Sequence, residues 1–132
     1  MSEFSYETTV PVRFQDLDAV GHVNNAVYAT YFEEARISYI EDVLDIDAED
    51  SGAVIAHLEI DYRRPIVDDD VVTVAVRTGE PGTSSIPMEY EIRTEEGVAA
   101  TGETVMVTTD YETGKTQPIP DAWRAELEAH SE

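Results

Sequence analysis

A short segment near the amino terminus contains the densest group of side chains that could do chemistry. It places the carboxylates of Asp16 and Asp18 ahead of Gly21 and His22. A carboxylate can attack a carbonyl carbon or activate water, and the unpaired amides at the start of a helix can stabilise the oxyanion that results. One of these two carboxylates, followed by a helix start, is therefore a candidate for catalysis in which an oxyanion develops, with the amide of Asn25 or a neighbour as the oxyanion donor.

Each of these residues also has a structural interpretation. Asp18 could cap a turn or pair with Arg13, and Asp16 is expected to be a turn or hydrogen-bond anchor. His22 could orient the substrate or Asp18, or it could act only as a local hydrogen-bond donor. Gly21 allows close backbone approach or a positive φ. The residues alone leave these interpretations open.

Composition disfavours several other chemistries. The 132 residues include no cysteine, which excludes disulfides, thiolate zinc sites and a cysteine nucleophile. Ser84 and Ser85 lack the Gly-x-Ser-x-Gly elbow of serine hydrolases. His57 and His130 form no spaced metal set with Asp18. We therefore expect neither a metal nor a cofactor.

The net charge limits the classes of partner that the protein is expected to bind. Aspartate and glutamate number 29 against 8 lysines and arginines, so the formal net charge is −21. This charge repels phosphate-rich partners at long range, and nucleic-acid binding is not expected. Residues Met1–Tyr6 lack a basic segment, and no apolar run approaches the ~20 residues of a membrane span. We expect a cytoplasmic protein without membrane contact.

The acidic residues are spread along the whole chain, and Lys115 is the only lysine. This pattern resembles that of proteins from salt-accumulating halophiles. An ordinary acidic protein is the alternative, because excess charge also favours solubility. The charge pattern therefore predicts a protein adapted to high salt.

Hydrophobic periodicity defines the elements that must position the acidic segment. Apolar residues at even positions from Phe4 to Phe14 predict a half-buried strand, near a sheet edge because Pro11 lacks an amide donor. Three–four spacing then predicts a helix from Asn24 to Leu44, capped by Asn24 or Asn25. Its apolar stripe is formed by Val27, Tyr28, Tyr31, Phe32, Ala35, Tyr39 and Val43.

Four further strands and a short helix complete the predicted fold. Period-two patterns place the strands at Val54–Tyr62, Val71–Thr78, Ile86–Arg93 and Val98–Thr109, with Val54, Ala56, Leu58, Ile60 and Tyr62 on one face. A helix starting near Asp121 carries Trp123 and Leu127. This order predicts one α+β domain over residues 1–132, in which an antiparallel sheet covers the long helix. Edges at the Pro11 strand and the Tyr62 strand predict a homo-oligomer, either a dimer or a tetramer.

The segment from Asp16 to Tyr28 closely resembles the signature Asp-x-Asp-x-x-Gly-His-Val-Asn-Asn-x-x-Tyr of hotdog-fold acyl-CoA thioesterases, the 4-hydroxybenzoyl-CoA thioesterase-like family. Weaker similarities at Tyr62–Pro65, Ser84–Ser85 and Val107–Asp110 extend through most of the chain. The resemblance implies a hotdog fold, in which a five-stranded antiparallel sheet wraps one long central helix. It also implies a cofactor-free acyl-CoA thioesterase with active sites between protomers.

The resemblance assigns roles to particular residues. Asp18, the second aspartate of the pair, is the nucleophile or general base. In similar plant acyl-carrier-protein thioesterases an asparagine and a histidine follow that aspartate by two and four residues; here His22 matches, while Val20 replaces the asparagine. His22 and Asn25 are the other catalytic candidates. The substrate-binding candidates are Gly21, Val23, Asn24, Tyr28, Tyr31, Arg63, Arg64, Ser84 and Ser85.

Several alternatives remain at this point. Glu33 and Glu34 are the runner-up catalytic acids, since some hotdog thioesterases take their carboxylate from within the helix. Arg63 and Arg64 could bind the phosphates of coenzyme A, or they could pair with nearby acids. The domain could also bind acyl thioesters without cleaving them, since a fold does not determine function.

Overall fold

The computed structural model describes residues 4, 6–46, 52–68 and 70–130. Within these ranges the chain forms one five-stranded antiparallel sheet and two α-helices. The strands are β1 (Tyr6–Val10), β2 (Ala53–Tyr62), β3 (Val72–Thr78), β4 (Ser85–Thr94) and β5 (Gly97–Thr108). The helices are α1 (Val27–Asp42) and α2 (Asp121–His130). The strand order is β1-β3-β4-β5-β2, so β1 and β2 are the edges, as predicted.

Helix α1 packs its aromatic side against one face of the sheet, which is the hotdog arrangement. Its buried residues are Tyr28, Tyr31, Phe32, Ala35, Tyr39 and Ile40. Phe32 stacks on Tyr90 of β4 with ring centroids 4.5 Å apart. A Cβ atom on Gly102 of β5 would lie 2.4 Å from the Phe32 ring, so glycine is needed where the helix approaches the sheet.

The start of α1 differs from the prediction. The helix begins at Val27 rather than Asn24 and ends at Asp42, two residues before Leu44. Ala26 occupies the N-cap position and makes no side-chain capping bond. The Asn24 Oδ1 atom instead accepts the Ala26 amide at 2.9 Å, which forms a turn ahead of the helix. The predicted asparagine cap was therefore wrong in position.

The first strand is shorter than the alternation predicted. β1 ends at Val10, where its pairing with Val72 of β3 also ends. Pro11 has no amide to continue the ladder, and a short 3₁₀ turn follows at Phe14–Asp16. Phe14 is consequently 90% exposed, so its assignment to a half-buried strand was wrong.

A β-bulge divides β2 into two parts. The pairing with β5 shifts register between Ile55 and His57, so Ala56 is an extra residue in β2. Ile55 and Leu58 therefore both face α1, while Val54 faces the other side of the sheet. The prediction that alternate residues from Val54 onward share one face was wrong for this reason.

Helix α2 follows the prediction closely. It buries Trp123 and Leu127, and the Arg124 guanidinium donates a hydrogen bond of 2.6 Å to the Gly82 carbonyl. In the part of the chain that the structure describes, neither α1 nor α2 is long and apolar enough to cross a membrane.

Candidate active site

Asp18 lies in a tight loop that closes on itself between Leu17 and Val23, which form an isolated antiparallel bridge. The Asp18 amide donates to the His22 carbonyl at 2.7 Å, and the Gly21 amide donates to the Asp18 carbonyl at 3.2 Å. Gly21 has a φ of 83°, and a Cβ atom there would meet nothing within 4 Å. Backbone conformation, rather than crowding, therefore requires glycine at this position.

The Asp18 carboxylate is exposed but held on one side. Its Oδ1 atom accepts the Val20 amide at 2.9 Å and the His22 amide at 3.1 Å. These two hydrogen bonds lower the pKa of Asp18 below its usual range, because they stabilise the charged form. The Oδ2 atom accepts no hydrogen bond from the described residues. The loop thus presents an ionised carboxylate with one oxygen available for chemistry.

Arg13 pairs with Glu34 of α1 rather than with Asp18. Its guanidinium donates to both Glu34 oxygens, at 3.0 and 2.9 Å. Both oxygens of this runner-up acid are therefore engaged. Glu33 is more exposed, with Arg36 3.9 Å away. Of the two helix acids, Glu33 is the one with a more available carboxylate.

Asp16 is the only buried carboxylate among the described residues. Its Oδ2 atom accepts the Arg13 amide at 2.8 Å and the Tyr31 hydroxyl at 2.9 Å. Its carbonyl accepts the Asn24 amide at 2.8 Å. These bonds agree with the predicted role of a hydrogen-bond anchor.

The start of α1 offers amide donors. The Val27 amide donates to the Asn24 carbonyl at 2.9 Å, and the Ala26 amide is taken by the Asn24 side chain. Because α1 begins at Val27, the amides of Tyr28 and Ala29 have no carbonyl within the helix to bond. These amides, at the positive end of the helix dipole, can bind a negatively charged oxygen.

Tyr62 contacts the segment ahead of α1, although the sequence placed it only at the end of a strand and in the weaker similarity at Tyr62–Pro65. Its hydroxyl donates to the Asn25 carbonyl at 2.8 Å, which holds the chain just ahead of α1. Its ring meets Tyr28 edge to face, with centroids 4.9 Å apart. Alternation places Tyr62 at the end of β2, but no sequence pattern connects it to Asn25.

The two arginines after β2 carry exposed guanidinium groups. The amides of Arg63 and Arg64 both donate to the Ala99 carbonyl, at 2.8 and 3.1 Å. Neither guanidinium pairs with a carboxylate of the described residues, unlike the side chains of Arg13, Arg36, Arg77 and Arg93. The alternative that these two cations pair with neighbouring acids is not seen in the described part of the chain.

The Asp18 loop and the arginine pair lie at the same end of the sheet. The Val23 amide donates to the Ile66 carbonyl at 2.8 Å, and His22 forms a β-bridge with Val67. Ile66 is two residues beyond Arg64. The backbone of the Asp18 loop therefore lies beside the segment that directly follows the two arginines.

The serine pair lies at the other end of the sheet within one chain. Ser85 is in register with Val107 of β5, whereas Arg63 and Arg64 bond to Ala99. Val107 lies eight residues beyond Ala99, which corresponds to about 26 Å along the strand at ~3.3 Å per residue. Ser84 and Ser85 therefore do not join Asp18 within a single protomer.

Two predicted substrate contacts lie in the core. Tyr28 and Tyr31 are 2% and 0% exposed. The Tyr31 hydroxyl is bonded to Asp16, and burial raises its pKa well above the usual range. Contact of either ring with a substrate stays a prediction.

A cavity of about 250 Å³ lies between α1 and the edge strand β2. The helix contributes its exposed side to this cavity, and the sheet contributes residues of β2 and β5. Its lining residues are Ala29, Thr30, Glu33, Arg36, Ile55, Leu58 and Thr104. It lies beside the first turns of α1, with the apolar side chains Ile55 and Leu58 on the strand side and Glu33 and Arg36 on the helix side.

His57, Glu59 and Glu103 form a group on the outer face of the sheet. Their potential metal-ligating atoms all lie within 4.8 Å of one another, and all three residues are exposed. Sequence reasoning found no such partners for His57. The bulge at Ala56 places this group on the face away from α1, apart from the cavity described above.

Comparisons with known proteins agree with this architecture. Residues 12–127 match the Thioesterase-like superfamily. A thioesterase from Thermus thermophilus, crystallised with coenzyme A and zinc, is 42% identical with a TM-score of 0.88, and the alignment covers 98% of this chain and 96% of that one. A predicted thioesterase from Bacillus stearothermophilus is 30% identical with a TM-score of 0.87, covering 96% of each chain.

A curated relative extends the agreement to an enzyme of named activity. The long-chain acyl-CoA thioesterase FadM of Escherichia coli (strain K12) is 32% identical over 127 residues, which cover 92% of this chain and 96% of the relative. The family match over residues 12–127 contains the Asp18 loop, helix α1 and strands β2 to β5. The chain therefore belongs to the Thioesterase-like superfamily, and it is a hotdog-fold enzyme that hydrolyses thioesters.

Proposed function

We propose that this protein hydrolyses acyl-CoA to a free acid and coenzyme A, with Asp18 as nucleophile or general base. The observation that carries this proposal is the exposed, ionised Asp18 carboxylate, held through Oδ1 with Oδ2 open. The carboxylate can add to the thioester carbonyl carbon and expel the thiolate, leaving an anhydride that water cleaves. Alternatively, it can take a proton from a water molecule that adds to the same carbon.

The oxyanion formed in either route needs hydrogen-bond donors. The first-turn amides of α1, at Tyr28 and Ala29, and the Asn25 amide ahead of the helix are the candidates. Losing one such donor typically lowers turnover by about 10²–10³-fold. His22 supports the same step through its backbone, since its amide and carbonyl both bond to Asp18.

Coenzyme A is an anionic ligand for a strongly anionic protein, so local positive charge is needed. Arg63 and Arg64 supply two guanidinium groups without carboxylate partners among the described residues, at the Asp18 end of the sheet. Arginine binds phosphate through paired, charge-assisted hydrogen bonds. The Thermus thermophilus relative was crystallised with coenzyme A, which supports coenzyme A as the thiol that carries the acyl group.

The edge strand β2 favours assembly with a second copy. Its exposed apolar side chains are Val54, Ile55, Leu58 and Tyr62. Two copies of one edge strand related by a two-fold axis pair antiparallel, so the Ala53 end of one faces the Tyr62 end of the other. Such a dimer would bring the serine pair of one protomer towards the Asp18 loop of the other. Predicted site residues that lie far apart within one chain would then lie closer together across the dimer.

The test is a panel of acyl-CoA thioesters with a free-thiol reagent, applied to the wild-type protein and to Asp18→Asn. The substitution keeps size and most hydrogen bonding but removes the charge, so we expect turnover to fall by about 10²-fold or more. The melting temperature should change little, because the side chain is exposed. Asp16→Asn is the matched control, which should affect stability more than turnover.

Two outcomes would contradict the assignment. Near-normal turnover in Asp18→Asn, with loss of turnover in Glu33→Gln, would place the catalytic carboxylate in α1. Binding of the thioesters by the wild-type protein without thiol release would favour a non-catalytic binding module. Single-turnover reaction in ¹⁸O water separates the two Asp18 routes, because label enters the Asp18 carboxylate only if water attacks the aspartyl carbon of an anhydride.

A further inference from the structure

Asp16 is a buried carboxylate for which the proposed mechanism has no direct use. Asp16 is 7% exposed, and its partner Tyr31 is fully buried. A hydrogen bond sealed from water in this way holds its geometry, because no solvent molecule competes for either group. The pair therefore forms a fixed link between the Asp18 segment and helix α1.

We propose that Tyr31 is a positioning residue for thioester hydrolysis, which sets the place of the Asp18 loop relative to α1 through its hydrogen bond to Asp16. This inference rests on the proposed function of Asp18. It adds a role for a side chain that need not touch the substrate.

The contacts of Asp16 show how the link operates. Its side chain bonds the Arg13 amide before the loop, and its carbonyl bonds the Asn24 amide after the loop. Both ends of the loop are thereby tied to Asp16, which is tied in turn to the Tyr31 hydroxyl. Displacement of Asp16 must therefore displace the loop as a unit.

Tyr31, at the other end of the link, lies on the helix that carries the candidate oxyanion donors. Tyr31 lies on α1 about one turn after its start at Val27, in the same rigid helix as the amides of Tyr28 and Ala29. The attacking carboxylate and the oxyanion donors thus belong to different elements. The Asp16–Tyr31 hydrogen bond joins those two elements directly, and catalysis needs such groups held within ~0.5 Å.

A second feature makes the link testable. The Arg13 amide and the Tyr31 hydroxyl both donate to the same atom, Oδ2 of Asp16. An asparagine whose Oδ1 takes that place keeps both bonds and loses only the charge. Asp16→Asn therefore preserves the link, Asp16→Ala removes it from one side, and Tyr31→Phe removes it from the other.

The experiment compares Tyr31→Phe with Tyr39→Phe, which removes another buried hydroxyl of α1, one that lies 3.4 Å from Thr78. We expect Tyr31→Phe to lower kcat by about tenfold with KM within about twofold, since misplacement affects the transition state more than binding. Tyr39→Phe should lose similar stability and keep kcat. Asp16→Asn should keep kcat within about threefold of wild type, whereas Asp16→Ala should match Tyr31→Phe.

A second readout does not depend on activity. Carboxyl ¹³C NMR can follow the titration of Asp18, assigned with Asp18→Asn. If Tyr31→Phe loosens the loop, the Val20 and His22 amides bond Asp18 less well, and its pKa rises towards the ordinary ~3.9. The fall in kcat on the acid side of the pH–rate profile should move to higher pH together with the pKa of Asp18. Neither tyrosine variant alters His22, the titratable side chain that acts on Asp18 through space, so such a shift reports on the loop.

The outcomes separate the two proposals. Equal kcat and equal Asp18 titration in Tyr31→Phe and Tyr39→Phe would overturn the positioning role. If Tyr31→Phe does not fold, Asp16→Ala against Asp16→Asn decides the same question. If the wild-type protein cleaves no thioester, the proposed function fails, while the Asp18 titration still shows whether Tyr31 holds the loop.

Discussion

Arg63 and Arg64 concentrate positive charge at one place in a protein of net charge −21. If they bind the phosphates of coenzyme A, Arg64→Ala should raise KM for an acyl-CoA about tenfold at constant salt, the loss of a charge-assisted hydrogen bond. The kcat should stay near the wild-type value, because the phosphates lie away from the reacting carbon. Steady-state kinetics and coenzyme A titration measure the two effects.

Lys115→Ala is the matched control for this prediction. Lys115 is exposed and carries the same charge in the turn after β5. Its removal changes the overall charge equally, so an equal rise in KM would indicate a long-range field rather than a phosphate site. Unchanged coenzyme A affinity in Arg64→Ala would contradict the assignment.

For individual residues, the sequence predicted the contacts that form between near neighbours in the chain. The turn around Asp18 is closed by residues two and four positions away, and Gly21 adopts the positive φ that was one of its two expected uses. The pairs Asp16–Tyr31 and Asn25–Tyr62 are separated by 15 and 37 residues. Such pairs depend on how the elements pack, which no local pattern encodes.

Gly102 controls how closely α1 approaches the sheet. In Gly102→Ala the new Cβ atom would lie 2.4 Å from the Phe32 ring and 2.7 Å from the Glu59 carbonyl. We expect the free energy of unfolding to fall by about 1–3 kcal/mol, as in other overpacked cores. Chemical denaturation measures this loss.

The double variant Gly102→Ala with Phe32→Leu provides the control. If the clash with the ring causes the loss, the smaller leucine should relieve part of it, and the two effects should not add. Strict additivity would show that the strain arises elsewhere, for example at the Glu59 carbonyl.

The elements themselves were predicted well where buried side chains recur regularly, as at three–four spacing in α1 and at every second residue in β4. Their ends were not, for identifiable reasons. The alternation continues past Val10 to Phe14, but Pro11 cannot extend the ladder with β3. The bulge at Ala56 is set by register against β5, a property of two strands that the pattern of one strand does not carry.

For the whole molecule, the exposed edge strand β2 predicts self-association. Leu58 is 44% exposed on this strand. We expect Leu58→Lys to convert the oligomer to monomer in molar salt, because a charged side chain on an edge opposes pairing. Light scattering with size-exclusion chromatography measures the mass.

Tyr111→Lys tests whether the effect is specific to β2. Tyr111 is 76% exposed and lies in the turn after β5. It should leave the mass unchanged. A stable, active monomer of the wild-type protein would contradict active sites shared between protomers.

The net charge of −21 predicts a second property of the whole molecule. Self-repulsion should destabilise the chain at low salt, and added KCl shortens the screening length from ~10 Å at 0.1 M. The melting temperature should therefore rise with KCl. A matched series in sucrose, an uncharged solute, distinguishes charge screening from stabilisation by solute exclusion. A melting temperature that does not change with KCl would contradict adaptation to high salt.

The extra residue at Ala56 determines which side chains of β2 face the helix. Deletion of Ala56 would restore simple alternation and leave both faces unchanged, because Ile55 and His57 already pair with the adjacent residues Met106 and Val105 of β5. Deletion of one residue at any other position in β2 would instead turn the side chains on one side of the deletion to the opposite face. A change in the length of this strand is therefore compatible with the fold at Ala56, whereas elsewhere in β2 it must be compensated by a second change.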